Sequence, residues 1–277
     1  KTVSIDKLII SDVGDFLREL INYQLSPTSM DWRDKCIKWK KLFPNCEDKF
    51  KGGELVDLYY LSEALSENLL ESSVVVTDSG LAELILPSNI SFRKGMRCIH
   101  PASQGSMGYA LPAAVGAYYS SKLPVVTVVG DGSIMMNLQE LETIRYHNLP
   151  IKIIVINNNA YAVIRKRQVD IFRTRTIGTD PANGVSCPDF KKVADTFGLA
   201  YVFISSTKEL QKKIKEVLEM DGPVLCEIMS PEDQDYISVA HSRTLESGFV
   251  RRPLEDQAPF IDRDIFLSEM IVGPIDQ

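Results

Sequence analysis

Short, almost wholly apolar runs alternate with amphipathic segments along most of the chain after residue 52. The apolar runs have the length of buried strands, and the segments between them repeat apolar residues at helical spacing. The predicted strands cover residues 73–77, 124–129, 151–156, 200–204 and 223–229, and the predicted helices cover residues 54–70, 108–119, 137–148, 189–197 and 207–219. Such alternation is typical of a parallel sheet with helices on both faces. We therefore predict an α/β fold with a doubly wound parallel sheet.

The two ends of the chain follow other patterns. Residues 3–6 are predicted as a short strand and residues 12–23 as a helix, and an amphipathic segment follows them. These elements are too few to close a core of their own. The last part is irregular and mixed in charge, and we expect an extended tail that packs on a neighbour. The predicted parts are 1–51 as the end of a preceding domain with its linker, 52–230 as the main domain and 231–277 as the tail.

The composition excludes several classes of protein. With 44% hydrophobic and 25% charged residues among 277, the chain matches globular proteins and not disordered or collagen-like ones. A net charge of −6 argues against a nucleic-acid partner, and no apolar run approaches the ~18 residues of a membrane span. The five cysteines are scattered without a CxxC pair, as expected for reduced thiols in the cytoplasm. Because the chain opens Lys-Thr-Val, we expect a piece of a longer protein.

Two predicted strands end in polar motifs. Gly-Asp-Gly-Ser at 130–133 ends one strand, and Asn-Asn at 157–158 ends the next. One crossover separates them, so both motifs are expected at the sheet edge where open parallel sheets bind ligands. Oxygens of Asp131 and Asn158 suit Mg²⁺ or Ca²⁺, and the glycines with Ser133 allow phosphate to approach backbone amides. A turn explains Gly-Asp-Gly alone more often than a site does, but the two motifs together predict a metal–diphosphate site.

The same motifs resemble those of a known family. Gly-Asp-Gly at 130–132, followed by Asn-Asn at 157–158, is similar to the thiamine-diphosphate signature, and the run at 105–116 resembles the acetolactate synthase branch. The stretch from Pro253 onward resembles acetolactate-synthase-like proteins of polysaccharide biosynthesis. The resemblance implies the thiamine-diphosphate-binding fold, with 52–230 as its diphosphate-binding domain and the preceding segment as the end of a central domain. It implies thiamine diphosphate and Mg²⁺ as cofactors.

The resemblance also implies roles for single residues. The side chains of Asp131 and Asn158 and the carbonyl of Ala160 would bind Mg²⁺, and the amides of Gly132 and Ser133 would contact the diphosphate. The whole implied set of cofactor-binding residues is Ser79, Gly80, Gly105, Ser106, Met107, Gly130, Asp131, Gly132, Ser133, Asn158, Ala160 and Tyr161.

Met107 carries the most specific implied role, because the resemblance assigns it to holding the cofactor in a bent shape. The carbonyl of Gly105 and the amide of Met107 would contact the aminopyrimidine. From the residues alone, Met107 could also be core filler. This chain departs from the family at one part of the implied site. Acetolactate synthases have a Gln-His pair that contacts the diphosphate, and this chain has Leu81-Ala82 there. Ser79 and the local backbone would therefore take over the contact of that pair with the diphosphate.

Two residues are candidates for substrate contact. Where the family has a tryptophan that shapes the acceptor pocket, counting from Asn158 leads to Arg167. It lies in a basic cluster of Arg165, Lys166, Arg167, Arg173 and Arg175. The cluster is either a solvated helix face or a receptor for a phosphorylated or nucleotide-linked acceptor. His100 precedes the Gly105 loop and is a candidate to face the site, although its position alone does not require this.

The implied activity is decarboxylation of a 2-oxo acid, with pyruvate as first candidate, and ligation of the two-carbon unit to a carbonyl acceptor. A simple 2-oxo-acid decarboxylase and a cofactor-binding subunit that is inert alone are the alternatives. In the family, a glutamate comes from a pyrimidine-binding domain, of the same protein or of a partner subunit, and no second parallel-sheet unit is predicted here. We therefore expect the chain alone to be inactive, the assembly to be a homodimer or tetramer, and FAD to bind only in the full-length protein.

Overall fold

The computed structural model describes residues 5–24, 26, 29–172, 175–237, 242–245, 248–251, 256 and 260–271. The chain divides into two compact units, 1–44 and 45–277. The first contains helices α1 (Val13–Ile21) and α2 (Met30–Leu42). The side chain of Asp12 caps α1 by accepting hydrogen bonds from two backbone amides of its first turn, which confirms the predicted helix. The predicted strand at 3–6 begins outside the described residues.

Six parallel strands form the sheet of the second unit. They are β1 (Val74–Thr77), β2 (Arg97–Ile99), β3 (Val125–Gly130), β4 (Ile151–Asn157), β5 (Ala200–Ile204) and β6 (Val224–Met229). Their order across the sheet is β2-β1-β3-β4-β6-β5, and every neighbouring pair is parallel. The predicted parallel sheet is confirmed. The pattern missed only the edge strand β2, whose three residues are not fully buried.

Helices cover the sheet on both faces. The helices of this unit are α3 (Leu58–Asn68), α4 (Leu81–Asn89), α5 (Ala110–Ser121), α6 (Asp131–Ile134), α7 (Glu140–Tyr146), α8 (Ala162–Phe172), α9 (Phe190–Phe197), α10 (Leu210–Glu219) and α11 (Arg263–Glu269). Helices α3, α4 and α10 share a core with Val75 and Val126, and helices α5, α7 and α9 share one with Val74 and Val125. Neighbouring strand residues thus face opposite cores, and the predicted doubly wound fold is confirmed.

Some elements differ from the prediction for identifiable reasons. Helix α3 begins at Leu58 and not at residue 54, because the Asp57 side chain accepts the Tyr59 amide and starts the helix there. Helix α4 was not predicted, since Pro87 lies inside it and proline ordinarily interrupts helices.

The segment after residue 230 was expected to be extended. Its described parts contain an antiparallel hairpin of β7 (Ser242–Leu245) and β8 (Gly248–Arg251), and the helix α11. Its beginning is tied to α3, because the side chain of Gln234 accepts the amide of Leu58 at 3.1 Å. Packing of this segment on a neighbouring molecule stays a prediction.

All five cysteines are free thiols, in agreement with their scattered spacing. Within the described residues, no helix combines the length and apolar character needed to cross a membrane.

Candidate functional site

The carboxyl ends of β1, β3 and β4 lie side by side at one edge of the sheet. Strand β3 pairs with β1 on one side and β4 on the other, and Gly130 lies opposite Ile156. Asp131 and Asn158 therefore follow adjacent strands, as the single crossover between the two motifs predicted.

A cavity of about 380 Å³ opens at this edge. Most of the residues predicted for the site line it: Ser79, Gly80, Gly105, Met107, Gly130, Asp131, Gly132, Ser133, Asn158, Ala160, Tyr161 and Arg167. Ser106 and His100 are not among the lining residues. Residues that sequence reasoning did not assign to the site also line it, among them Glu83, Gln104 and Ile164.

Asp131 is the buried carboxylate of this cavity, with only 2% of its surface exposed. Its oxygens accept backbone amides from Gly132 at 2.7 Å, Asn158 at 3.1 Å and Asn159 at 2.6 Å. Burial raises the pKa of Asp131 to about 6, although these amides and a hydrogen bond with the Cys187 thiol act against the rise. Among the described residues no cation pairs with this carboxylate, so a bound cation would offset the cost of burying its charge.

Asn158 lies beside Asp131 on a tight loop. It is 7% exposed, and its side-chain oxygen accepts the amide of Ala160 at 3.1 Å, which fixes the amide group in the loop. Asn159 takes a left-handed conformation with φ of 55°, and the Tyr161 amide donates to the carbonyl of Thr179 at 2.8 Å. The loop thus holds Asn158 beside the buried carboxylate, which accepts the amides of Asn158 and Asn159.

Gly132 is required by close packing. A Cβ atom built on it would lie 1.9 Å from Cε1 of Tyr161, whereas a Cβ on Gly130 would meet nothing within 4 Å. The Tyr161 ring thus packs directly on the Gly132 backbone, which joins the two motifs physically.

Asp78 is a residue of the site that sequence reasoning missed. It follows β1, is fully buried, and accepts amides from Ser79 at 2.9 Å, Gly108 at 3.1 Å and Ala110 at 2.8 Å. Asn137 donates to the carbonyl of Gly108 at 2.8 Å. These hydrogen bonds hold the loop that contains Met107 against the end of β1. The available signal was its position, since Asp78 directly follows one buried strand as Asp131 follows another.

His100 lies next to the cavity and not in its wall. Its Nδ1 atom is 3.6 Å from Oε1 of Glu83, which does line the cavity. That Nδ1 is buried and has no hydrogen-bond partner among the described residues. The expectation that His100 faces substrate stays a prediction.

The residues of the basic cluster differ in whether they contact acidic side chains. Arg165 lies 3.0 Å from Asp233 and 3.4 Å from Asp180, and Lys166 lies 3.6 Å from Asp235. Arg167 lines the cavity and has no acidic partner among the described residues. Arg173 lies outside the described residues.

The residues present fit Mg²⁺ and a diphosphate. A magnesium ion takes few protein ligands and completes its shell with water and phosphate oxygens, and Asp131 with Asn158 supplies such a partial set. No group of three or more His, Cys, Asp or Glu side chains in the described residues is arranged to hold a metal by itself. The backbone at Gly130 is open, because a Cβ there would meet nothing within 4 Å, whereas Tyr161 packs on Gly132.

The family model of the thiamine pyrophosphate enzyme C-terminal TPP binding domain matches residues 78–228 of this chain. The chain belongs to this family. The match includes every residue that lines the cavity, and it agrees with the architecture of the sheet. The predicted thiamine-diphosphate-binding fold is therefore confirmed.

Relatives and solved structures give the same family. The acetolactate synthase large subunit of Cyanidium caldarium is 29% identical over 248 residues, covering 85% of this chain and 41% of that protein. The chloroplastic acetolactate synthase 1 of Oryza sativa subsp. japonica is 29% identical over 236 residues, covering 82% and 36%. The Rhodococcus jostii RHA1 thiamine diphosphate-dependent 4-hydroxybenzoylformate decarboxylase superposes with a TM-score of 0.58 at 26% identity, covering 66% of this chain and 34% of that chain. The chain therefore spans about two fifths or less of these proteins.

Proposed function

We propose that this chain is the cofactor-binding part of an acetolactate-synthase-like enzyme. The enzyme decarboxylates a 2-oxo acid, with pyruvate as first candidate, and ligates the two-carbon unit to a carbonyl acceptor. The observation that supports it best is the buried Asp131 carboxylate, which lines the cavity beside Asn158 without a cationic partner among the described residues. A Mg²⁺ ion bound together with a diphosphate would supply the positive charge that pairs with this carboxylate.

Each group of cavity residues has a part in this proposal. Asp131, Asn158 and the carbonyl of Ala160 would hold Mg²⁺. The amide of Ser133 would hold the diphosphate, and the amide of Gly132, which donates to Asp131 in this structure, would turn to it on binding. Bound thiamine diphosphate supplies an electron sink for the decarboxylation, and the protein supplies position and electrostatics.

Met107 and Gly105 line the same cavity and orient the rest of the cofactor in this proposal. Ser79 and Gly80 also line it, beside Leu81 and Ala82, so the backbone there replaces side-chain contacts to phosphate.

The reaction balances without an external oxidant or reductant. The bond between the carboxyl carbon and C2 of the 2-oxo acid breaks and CO₂ leaves. The electron pair of that bond forms the new bond to the acceptor carbonyl carbon, whose oxygen takes up a proton. Complete activity further requires a pyrimidine-binding domain, from the same protein or a partner subunit, so the chain alone is inactive. A homo-oligomeric assembly, a cytoplasmic location, FAD in the full-length protein and the three-part division of the chain stay predictions.

Simple decarboxylation is the second candidate, because the solved structure that superposes here is described as a decarboxylase. In that case a proton takes the place of the carbonyl acceptor. Product analysis of the full-length protein with pyruvate separates the two: a ligated hydroxyketone supports the first function, and acetaldehyde alone supports the second.

Calorimetric titration tests the cofactor site itself. Thiamine diphosphate is titrated into the chain with Mg²⁺ or with EDTA, and into the Asp131→Asn variant. We expect Mg²⁺-dependent binding that the variant weakens about 100-fold or more, since even residues outside a metal's own ligand set cost 10–100-fold when changed. Asp195→Asn, an exposed carboxylate on α9, is the matched control. Equal binding by Asp131→Asn, or binding that EDTA leaves intact, would contradict the assignment.

A further inference from the structure

Three polar side chains form a hydrogen-bonded chain across the strands β5, β6 and β4. The side-chain amide of Asn157 donates to Oε1 of Glu227 at 2.6 Å, and the hydroxyl of Tyr201 donates to Oε2 of the same carboxylate. Glu227 is a buried residue with 7% of its surface exposed. None of the three lines the cavity, and the proposed reaction assigns no role to any of them.

The register of the sheet brings these side chains together. Glu227 lies opposite Val155 in the pairing of β6 with β4. Tyr201 lies opposite Leu225 in the pairing of β5 with β6. Because side chains two residues apart on a strand point to the same face, Tyr201, Glu227 and Asn157 share one face of the sheet. Burial raises the pKa of Tyr201 and the hydrogen bond with Glu227 raises it further, so the hydroxyl keeps its proton and is the donor.

The Glu227 carboxylate determines which way the Asn157 side chain points. The nitrogen of that side chain faces Glu227, which leaves its oxygen to accept the backbone amide of Asn159 at 3.2 Å. The reverse orientation would place an oxygen against a carboxylate oxygen and an N–H group against an N–H group. Asn159 has a left-handed backbone, which is uncommon outside glycine. The bond between Asn157 and Asn159 thus supports the turn that contains Asn158.

We propose that Glu227 is a positioning residue for the proposed metal site, acting through Asn157 on the shape of the loop 157–160. Tyr201 holds the Glu227 carboxylate from the other side. The inference rests on the proposed function, because Asn158 of this loop is a proposed ligand of Mg²⁺. Hydrogen-bond partners one step behind the ligands of a metal strongly affect how tightly the metal is bound.

Hydrogen exchange of the Asn159 amide, followed by NMR in the protein without cofactor, tests the positioning directly. Glu227→Leu removes both acceptor oxygens and frees the Asn157 side chain to rotate. We expect the Asn159 amide to exchange about fivefold faster in this variant, as for loss of one neutral hydrogen bond. Glu227→Gln keeps an oxygen that can accept from Asn157, so it should restore most of the protection. Unchanged exchange in Glu227→Leu would overturn the proposal.

Titration of Mg²⁺ in the presence of excess thiamine diphosphate tests the consequence for the metal. We expect Glu227→Leu to raise the half-saturating Mg²⁺ concentration about tenfold, and Glu227→Gln to stay near the wild-type value. Asn157→Ala should raise it by a similar factor. The double variant of Glu227→Leu and Asn157→Ala should be no worse than Asn157→Ala alone, because the two residues act in series. Additive losses, or an unchanged Mg²⁺ requirement in Glu227→Leu, would overturn the proposal.

Lys152→Met is the matched control for a purely structural role. Lys152 is also a buried polar side chain of β4, and it donates to the carbonyl of Gly222 at 2.7 Å near the other end of the strand. Its loss should lower the midpoint of urea denaturation and leave both the Asn159 exchange and the Mg²⁺ requirement unchanged. A rise in the Mg²⁺ requirement equal to that of Glu227→Leu would mean that Glu227 acts through stability alone.

The two readouts also keep this proposal apart from the proposed function. If the wild-type protein takes up no thiamine diphosphate with Mg²⁺, the proposed function fails. The exchange rate of the Asn159 amide still decides whether Glu227 shapes the loop, because that measurement needs no cofactor.

Discussion

Asp78 and Asp131 are buried carboxylates that follow the neighbouring strands β1 and β3, and each accepts three backbone amides. They differ in what surrounds them. Asp131 lines the cavity, whereas Asp78 is fully buried and is not among the lining residues. The amides bound to Asp78 come from its neighbour Ser79, from the Met107 loop and from the start of α5, so the carboxylate of Asp78 bonds only to other parts of the fold.

The comparison shows that burial and strand-end position do not by themselves identify a ligand-binding carboxylate. Asp78 holds two segments of the chain together, and Asp131 keeps one side open to a ligand. Substitution of Asp78 should therefore lower mainly the stability of the fold, and substitution of Asp131 should weaken mainly ligand binding.

The largest effect is expected for Asp78→Ala. The change leaves the amides of Gly108 and Ala110 buried without acceptors, at a cost of roughly 3 kcal/mol or more in the free energy of unfolding. Urea denaturation followed by circular dichroism measures it. Asp131→Ala should cost less, because Asp131 lines the cavity, where water can replace its oxygens, whereas Asp78 does not line it. A larger loss of stability for Asp131→Ala than for Asp78→Ala would contradict the distinction.

The sheet was predictable because its strands are short and fully apolar, as in β4. Asp131 and Asn158 were predictable because each follows such a strand and one crossover joins them. The position of Asp78 after a buried strand was a signal, but its role could not be predicted, because its partners Gly108 and Ala110 are about thirty residues away.

The basic cluster shows the same limit. The sequence does not distinguish the three neighbours Arg165, Lys166 and Arg167. The acidic partners of the first two lie far away along the chain: Asp180 is more than ten residues away, and those at 232–235 are more than sixty residues away. Only the folded contacts separate the paired side chains from Arg167. Sequence patterns thus predicted the edge of the sheet and the two motifs. Contacts between distant parts of the chain determine which polar residues there are already paired and which can contact a ligand.

An intermediate effect is expected from ligand stabilisation. A ligand that binds only the folded state adds about 2.7 kcal/mol of stability at 100 times its Kd. Thiamine diphosphate with Mg²⁺ should therefore raise the Tm of the wild-type chain, and Asp131→Asn should abolish the rise. Asp78→Asn keeps one acceptor oxygen, and although its starting Tm is lower, it should retain a shift of the same sign. A shift of equal size in Asp131→Asn would show that the cofactor does not depend on this carboxylate.

The smallest effect concerns the packing of Gly132 on Tyr161. Gly132→Ala places a Cβ 1.9 Å from the ring in the present geometry, so the ring or the loop must move, at a cost of about 1–3 kcal/mol for overpacking. Gly130→Ala is the matched control, because its Cβ meets nothing within 4 Å and its backbone φ of −72° suits alanine. We expect only Gly132→Ala to lower the midpoint of urea denaturation clearly. Tyr161→Ala in the same chain should remove most of that cost, because the ring is the group that the new methyl meets. Additive losses in the double variant would show that backbone distortion, and not the ring contact, requires glycine between Asp131 and Ser133.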